Sequence, residues 1–152
     1  MQILNEMNIE FLSISENESL ARIAAAAFIS PKDPSVEVAE EIKTAVSEAV
    51  TNSIIHGYED REGMVHMKCR LYEDYVSILV TDAGKGIEDV GRAREPLFTT
   101  KADMERSGMG FTIMENFMDE VKVHSALGEG TSVELIKYFL NAGHARDISK
   151  NL

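Results

Sequence analysis

Two polar side chains in one predicted helix are spaced so that they could act together on a phosphate or a metal ion. Glu48 and Asn52 are four residues apart, and side chains at this spacing are neighbours on one helix face. The pair lies at the edge of a packed face, because apolar residues recur around it at helical spacing. These residues are Ile42, Val46, Ala49, Val50 and Ile54. A carboxylate can orient or deprotonate a hydroxyl, and a carboxamide oxygen can bind Mg²⁺. The alternative is an exposed glutamate beside a helix-capping asparagine.

A histidine follows on the same predicted helix face. His56 lies four residues beyond Asn52 and next to Gly57, where the helix is predicted to end. A basic side chain in the last turn interacts favourably with the negative end of the helix dipole. His56 is therefore either a third polar group of the site or a partner of the helix dipole.

Two glycines follow the aspartate that ends a predicted buried strand. Residues 82–86 read Asp-Ala-Gly-Lys-Gly, so that Asp82 is followed by Gly84 and Gly86. Glycines in this place indicate either a backbone that another group approaches closely or a tight turn. On its own the motif does not distinguish the two.

A second glycine pair opens another predicted helix. Residues 107–111 read Ser-Gly-Met-Gly-Phe, and apolar residues at helical spacing follow. Such a loop can bind an anion, because unpaired N–H groups and the helix dipole both favour negative charge there. The alternative is a helix start with flexible glycines. The preceding residues 87–107 have little periodicity, which indicates a functional lid or a mobile loop.

The spacing of apolar residues also predicts the elements that position these groups. Residues 8–14 alternate as a short strand. Ser15 and Glu18 match a capping box that opens a first helix, which should run to about residue 30. Its predicted apolar stripe is Leu20, Ile23, Ala24, Ala27 and Phe28. Arg22 falls on the polar side, where the ordinary interpretation is a solvated surface charge.

The second predicted helix carries the polar pair. It should begin at Asp33-Pro34 and end at Gly57. Strands are predicted over residues 64–72, 75–81, 121–125 and 131–139, and the last two form an antiparallel hairpin. Residues 141–152 carry no pattern and are expected to fray as a C-terminal tail.

The composition indicates one globular domain. The chain has 152 residues, of which 44% are hydrophobic and 27% charged, as in ordinary soluble proteins. The 26 acidic and 15 basic residues give a net charge of -11. This charge disfavours binding to nucleic acid or anionic lipid and favours basic protein surfaces.

Cysteine usage and the N-terminus predict a cytoplasmic protein. Cys69 is the single cysteine, so no internal disulfide can form, and its alternation with apolar neighbours predicts a core position. The N-terminus lacks a basic segment followed by an apolar run, and no stretch approaches about 18 consecutive apolar residues. We therefore expect neither secretion nor a membrane span. The spacing of cysteine and histidine does not indicate zinc.

The order of these motifs resembles the GHKL, or Bergerat-fold, ATP-binding family. Residues 48–56 are similar to its N box, residues 82–86 to its first glycine box and residues 107–111 to its second. The resemblance implies an α/β (α+β) two-layer sandwich, in which a mixed, largely antiparallel sheet carries three helices on one face. It also implies a single domain over residues 1–140 that binds ATP or ADP with Mg²⁺.

The resemblance assigns a role to each matched residue. Asp82 selects adenine by accepting a hydrogen bond from its amine, and Thr131 lies nearby. Asn52 binds Mg²⁺, while Glu48 acts on the attacking hydroxyl. The other implied nucleotide-binding residues are His56, Gly84, Gly86, Thr99, Thr100, Lys101, Ser107, Gly108, Met109, Gly110 and Phe111.

Within that family the chain is similar to the anti-sigma kinases of spore-forming bacteria, notably over residues 41–58, 95–101 and 105–121. The resemblance implies a homodimer that binds an RNA polymerase sigma factor of the sigma F type when ATP is present. It also implies phosphorylation of a serine of an anti-anti-sigma protein, with partner contacts at Glu18, Arg22 and Arg106. The alternatives are a general-stress-type anti-sigma kinase with other partners and a non-catalytic module that binds sigma under nucleotide control.

Overall fold

Five strands form one open sheet in the computed structural model, which describes residues 2–59, 61–95 and 110–139. The strands are β1 (Asn5–Leu12), β2 (Met64–Leu71), β3 (Tyr75–Asp82), β4 (Glu120–Ala126) and β5 (Gly130–Tyr138). They lie in the order β1-β2-β3-β5-β4, and all four pairings are antiparallel. The predicted, largely antiparallel sheet is confirmed. The sheet is not mixed, because the described strands include no parallel pair.

Helices cover one face of this sheet. Within the described ranges they are α1 (Glu16–Ile29), α2 (Val36–Asn52), α3 (Val90–Ala93) and α4 (Gly110–Phe117). The central helix α2 packs against α1 on one side and against α4 on the other. The short α3 lies beside β4. The predicted layer of three helices is therefore formed by α1, α2 and α4.

The strands bury one face because apolar and polar residues alternate along them. On β2, Val65, Met67 and Cys69 point towards the helices and are fully buried, whereas His66 and Lys68 lie between them on the other face. Burial raises the pKa of the Cys69 thiol to about 12. The thiol is therefore protonated at neutral pH, as expected of a core residue rather than a reactive one.

The first helix turns a different face to the core from the one predicted. Ala21, Ala25 and Phe28 are buried, whereas Leu20 is 50% exposed and Ile23 is 63% exposed. The predicted stripe is therefore wrong at Leu20 and Ile23, and also at Ala27, which is exposed as well. Small alanine side chains allow α1 to lie close to α2, so the helix buries them and leaves two large apolar residues in solvent.

The helix α1 begins directly after Ser15, as predicted, although the predicted capping hydrogen bonds do not form, whereas α2 begins later than predicted. Ser15 makes no capping hydrogen bond from its side chain, and Glu18 accepts a hydrogen bond from the Ser47 hydroxyl instead, so the capping box is wrong. The helix α2 begins after Ser35, whose hydroxyl accepts a backbone hydrogen bond at 3.1 Å. Asp33, the predicted cap, has a left-handed φ of 48° and ends a short 3₁₀ turn.

Other boundaries agree more closely with the predictions. The strand β1 begins at Asn5 rather than at residue 8, because its pairing with β2 extends beyond the alternating residues. A π turn over Ser53–Gly57 continues α2 to its predicted end, and such turns are frequent at functional sites.

None of the helices in the described ranges is long and apolar enough to cross a membrane. Most of the predicted lid and the tail 141–152 lie outside the described residues.

Candidate functional site

A cavity of about 320 Å³ opens between the end of α2, the loop after β3 and the β4–β5 hairpin. Several residues predicted to bind nucleotide border it, namely Asn52, His56, Asp82, Gly86, Gly110, Phe111 and Thr131. They come from α2, its π turn, the end of β3 and the loop after it, α4 and β5. The fold therefore brings together residues from each of the three motifs.

Asp82 ends β3 as a buried carboxylate in the cavity wall. The residue is 5% exposed, and its Oδ1 accepts a hydrogen bond from the Gly84 N–H at 2.9 Å. The Ser53 hydroxyl and the Thr131 backbone N–H also donate to this carboxylate. Burial raises the pKa of Asp82, and these hydrogen bonds oppose the rise. A carboxylate offers about four acceptor positions, so these three hydrogen bonds do not use all of them.

Backbone contacts hold the glycine turn against the end of the π turn. A Cβ atom on Gly84 would lie 2.2 Å from the Gly57 carbonyl oxygen, and a Cβ atom on Gly57 would lie 2.9 Å from Asp82 Oδ1. The Lys85 N–H donates to the same Gly57 oxygen at 2.9 Å. Glycine is therefore needed at both positions for close approach. The sequence indicated this need at Gly84, but it indicated only a helix end at Gly57.

The β4–β5 hairpin packs against the other side of the same turn. Gly86 has a φ of +79°, and a Cβ atom on it would lie 2.0 Å from the Ala126 carbonyl oxygen. Gly130 has a φ of +87°, and its Cβ atom would lie 2.1 Å from the Asp82 carbonyl oxygen. Gly130 lies between the two strands predicted as a hairpin, so the sequence indicated only a turn at this position. Its contact with Asp82 joins strands far apart in sequence, so no local pattern reveals it.

Two hydroxyl groups meet on this hairpin. Ser125 Oγ lies 2.8 Å from Thr131 Oγ1, accepts a hydrogen bond from the Ile87 N–H at 2.7 Å and donates to the Gly130 carbonyl at 2.9 Å. Because the single Ser125 proton goes to Gly130, Thr131 donates its own proton to Ser125. The Thr131 oxygen therefore remains an acceptor. Ser125 was predicted as a strand residue and not as part of the site.

Tyr58 joins the π turn to the residue that follows Asp82. Its buried side chain donates a hydrogen bond to the Met64 carbonyl at 2.6 Å and accepts one from the Ala83 N–H at 2.8 Å. This hydroxyl fixes the backbone beside the buried carboxylate. In the sequence, the one distinguishing feature of Tyr58 is its place directly after Gly57, so its role could not be predicted.

A different part of the cavity wall holds the polar pair of α2. Asn52 borders the cavity, whereas Glu48 is 3% exposed and lies behind the wall. A Cβ atom on Gly110 would lie 3.2 Å from Asn52 Oδ1 and 3.4 Å from Glu48 Oε2. The first residue of α4 therefore lies directly against both side chains. The burial of Glu48 excludes the interpretation as an exposed glutamate.

The sequence matches known proteins along most of its length. A family model described as a histidine kinase-like ATPase domain matches residues 14–137. An anti-sigma F factor of Anoxybacillus flavithermus is 57% identical over 135 residues, which are 88% of this chain and 92% of that protein. An anti-sigma F factor of Clostridium novyi is 58% identical over 134 residues, which are 88% of this chain and 94% of that protein. The chain belongs to the anti-sigma F factor family.

Two solved structures share the fold of this anti-sigma F factor family member. The RsbU and RsbW domains of a Mycobacterium tuberculosis protein give a TM-score of 0.65 at 18% identity, with 89% of this chain and 32% of that chain covered. A mycobacterial sensor histidine kinase, MprB, gives a TM-score of 0.53 at 19% identity, with 66% of this chain and 72% of that chain covered. The likeness concerns the fold alone, and it confirms the predicted sandwich.

The remaining predicted residues of this anti-sigma F factor family member lie away from the cavity or outside the described ranges. On α1, Arg22 Nη1 lies 3.2 Å from Glu18 Oε1, and neither residue borders the cavity. Glu18 also accepts the hydrogen bond from Ser47, which precedes Glu48. The residues outside the described ranges are Thr99, Thr100, Lys101, Arg106, Ser107, Gly108 and Met109.

The described residues offer only part of a metal site. Among them, no group of three or more histidine, cysteine or carboxylate side chains could hold a metal ion. Asn52 can supply one carboxamide oxygen, and Mg²⁺ usually combines one or two protein ligands with water and phosphate oxygens. These residues therefore fit a Mg²⁺ ion that is bound together with a nucleotide.

Proposed function

We propose that the cavity binds ATP with Mg²⁺ and that the protein in this state binds and inhibits a sigma factor of the sigma F type. We further propose that it phosphorylates a serine of the anti-anti-sigma antagonist and so controls sporulation transcription. One observation carries the proposal. Glu48, Asn52 and the first residue of α4 converge beside a cavity whose wall also contains the buried Asp82. The buried carboxylate of Asp82 suits the amine of a base. The polar pair and the helix start suit a triphosphate with its metal ion.

Asp82 recognises the base. Its carboxylate accepts a hydrogen bond from the exocyclic amine of adenine, whereas guanine carries a carbonyl oxygen at that position and would repel it. The donors from Gly84, Ser53 and Thr131 hold the carboxylate in place. Gly86 borders the cavity beside it, so the ring can lie close to backbone without meeting a side chain there.

The start of α4 and the Asn52 side chain bind the phosphates. The N-terminus of a helix favours negative charge through its free N–H groups and its dipole, and Gly110 places this N-terminus against Asn52. Asn52 supplies an oxygen to Mg²⁺, which neutralises phosphate charge when it is bound. We assign the rest of the phosphate site to His56 and to residues 99–101, 107–109 and 111.

The reaction is an in-line transfer of the γ-phosphoryl group. The serine oxygen of the substrate protein forms a bond to the γ-phosphorus, the bond to the bridging oxygen breaks, and ADP keeps that electron pair. Glu48 orients the serine hydroxyl and accepts its proton. The contact of Glu48 with Gly110 supports this role, because it puts the carboxylate beside the proposed phosphate site.

The partner surfaces lie outside the cavity. The names of the two relatives, both anti-sigma F factors, support a sigma factor as partner. We assign contacts with it to Arg22 and Glu18, and docking of the anti-anti-sigma protein to Arg106. The net charge of -11 favours basic protein surfaces over nucleic acid. In this proposal the protein is a cytoplasmic homodimer, with residues 1–140 as the kinase domain and residues 141–152 as a tail.

The substitution Glu48→Gln tests the assigned chemistry. The amide keeps the shape of the side chain but cannot accept the serine proton. With labelled ATP and a candidate anti-anti-sigma protein, we expect serine phosphorylation to fall by about 100-fold or more. The affinities for ATP and for the sigma factor should stay within about twofold of the wild type. The proton acceptor acts only during phosphoryl transfer and not in the binding of either partner.

The matched control is Glu37→Gln, since Glu37 is exposed on the same helix. It should phosphorylate the substrate like the wild type. Unchanged phosphorylation by Glu48→Gln would contradict the role of Glu48. A wild type that binds ATP and sigma without transfer would favour the non-catalytic module, and label on the chain itself would favour histidine-kinase chemistry. Preference for a general-stress sigma factor would favour the general-stress type of kinase.

A further inference from the structure

A leucine at the tip of the β4–β5 hairpin stands out among the residues of the cavity wall. Leu127 borders the same cavity as Asp82 and Thr131, yet it is 65% exposed. A single exposed leucine is ordinary on a protein surface. An exposed leucine in a cavity wall is different, because any ligand that fills the cavity also buries part of that side chain.

Backbone contacts on both sides of Leu127 fix its position. On one side, the Ala126 carbonyl packs closely against Gly86, since a Cβ atom on Gly86 would lie 2.0 Å from the Ala126 oxygen. The Gly128 N–H donates to the Lys85 carbonyl at 2.5 Å. Leu127 lies between these two contacts, so its backbone cannot move away from the glycine turn unless both contacts are lost.

The same hairpin is also joined to Asp82. A Cβ atom on Gly130 would lie 2.1 Å from the Asp82 carbonyl oxygen, and Ser125 accepts the Ile87 N–H hydrogen bond at 2.7 Å. The hairpin, Asp82 and the turn after it therefore form one packed unit. In this unit the buried carboxylate of Asp82 and the exposed side chain of Leu127 border the same cavity.

We infer that Leu127 covers one face of the base and is a further binding residue of the nucleotide site. The inference rests on the proposed function and adds a contact to it. A purine has an apolar face and polar edges. Asp82 binds an amine at the edge, while Leu127 packs on the face and keeps water away from that hydrogen bond, which is stronger when it is shielded.

The test compares Leu127→Ala with the wild type by isothermal titration with ATP and with ADP. Loss of the apolar contact should weaken both nucleotides by the same factor, about 3- to 10-fold, because both carry the same base. Leu127→Met, which keeps an apolar side chain of similar size, should restore most of the affinity. The thermal unfolding midpoint should not change, since Leu127 is largely exposed.

The control is Leu20→Ala, because Leu20 is 50% exposed on α1 and does not border the cavity. It should leave both affinities unchanged. Equal affinity of Leu127→Ala and the wild type would overturn the inference, as would a loss for ATP alone, which would place the contact at the phosphates. A wild type that binds neither nucleotide would overturn the proposed function itself, so the two failures are distinguishable.

Discussion

The cavity wall and the outer face of α1 are built in opposite ways. Around the cavity, Cβ atoms on Gly84 and Gly86 would lie 2.2 and 2.0 Å from carbonyl oxygens. On α1, Leu20 and Ile23 are half or more exposed beside Arg22. A closely packed wall suits a ligand of one shape, whereas an exposed apolar face with a charge suits a protein surface. The difference agrees with a nucleotide in the cavity and a partner protein on α1.

One hydrogen-bonded group connects the two regions. Glu18 on α1 accepts hydrogen bonds from Arg22 on the same helix and from Ser47 on α2. Ser47 is next to Glu48, which lies against the start of α4. The outer face of α1 is therefore one side chain away from the helix that carries the proposed catalytic residue.

The substitution Gly84→Ala should have the largest effect, because it breaks the packing of the cavity wall. The added methyl group would meet a backbone carbonyl at 2.2 Å, which cannot move aside as a flexible side chain can. We expect the free energy of unfolding to fall by about 3 kcal/mol and ATP binding to fall below detection. Urea unfolding and titration calorimetry measure the two effects.

The control for this substitution is Gly91→Ala. A Cβ atom there would meet only the Asp89 side chain, at 3.5 Å, and Gly91 lies in the short helix α3. Its free energy of unfolding should stay within about 0.5 kcal/mol of the wild type. If Gly84→Ala were as stable as the wild type, the turn could adapt to a side chain. The cavity wall would then not be more closely packed than the outer face of α1.

The substitution Asp82→Asn should have the next largest effect. The amide replaces one acceptor oxygen with a donor, although Gly84, Ser53 and Thr131 all donate to this side chain. We expect ATP affinity to fall by about 10- to 100-fold at pH 7, with less discrimination against GTP. Competition binding with the two nucleotides checks this result, and unchanged discrimination would contradict base recognition by Asp82.

The same residue predicts a pH dependence. Burial raises the pKa of Asp82 above its value in the unfolded chain, so the folded protein binds more protons between those two pKa values. The contribution of Asp82 to stability therefore falls as pH rises through that interval and is constant above it. Relative to Asp82→Asn, the wild type should lose free energy of unfolding over this interval. A constant difference across pH would contradict the raised pKa.

The substitution Ile23→Ser should have the smallest effect and should be confined to the partner. Loss of the exposed side chain removes apolar area that a docked protein would cover, so sigma-factor affinity should fall by about 5-fold. ATP affinity should not change. The control is Val36→Ser, which alters a residue 80% exposed at the start of α2. Equal effects of both substitutions would show that α1 is not a separate surface.

The accuracy of the sequence predictions followed the strength of the local pattern. The strands β2 and β3 and the stripe of α2 were predicted correctly, because strong alternation or helical spacing leaves one arrangement that buries the apolar residues. The first helix was misjudged because its many alanines give both faces a similar apolar character. Asp33 and Ser35 are both suitable N-cap residues, and only the path of the chain decides that Ser35 is used.

The chemical groups of this protein and their local spacing could be read from the amino-acid sequence. Helical periodicity is enough to pair Glu48 with Asn52, because the two residues are four apart. The glycines after Asp82 are likewise visible within a few residues of it. Distant groups such as Tyr58 and Leu127 could be found beside the cavity only from the folded arrangement of the chain. Their contacts join elements that are far apart in the chain, and such contacts are set by how the sheet and helices pack.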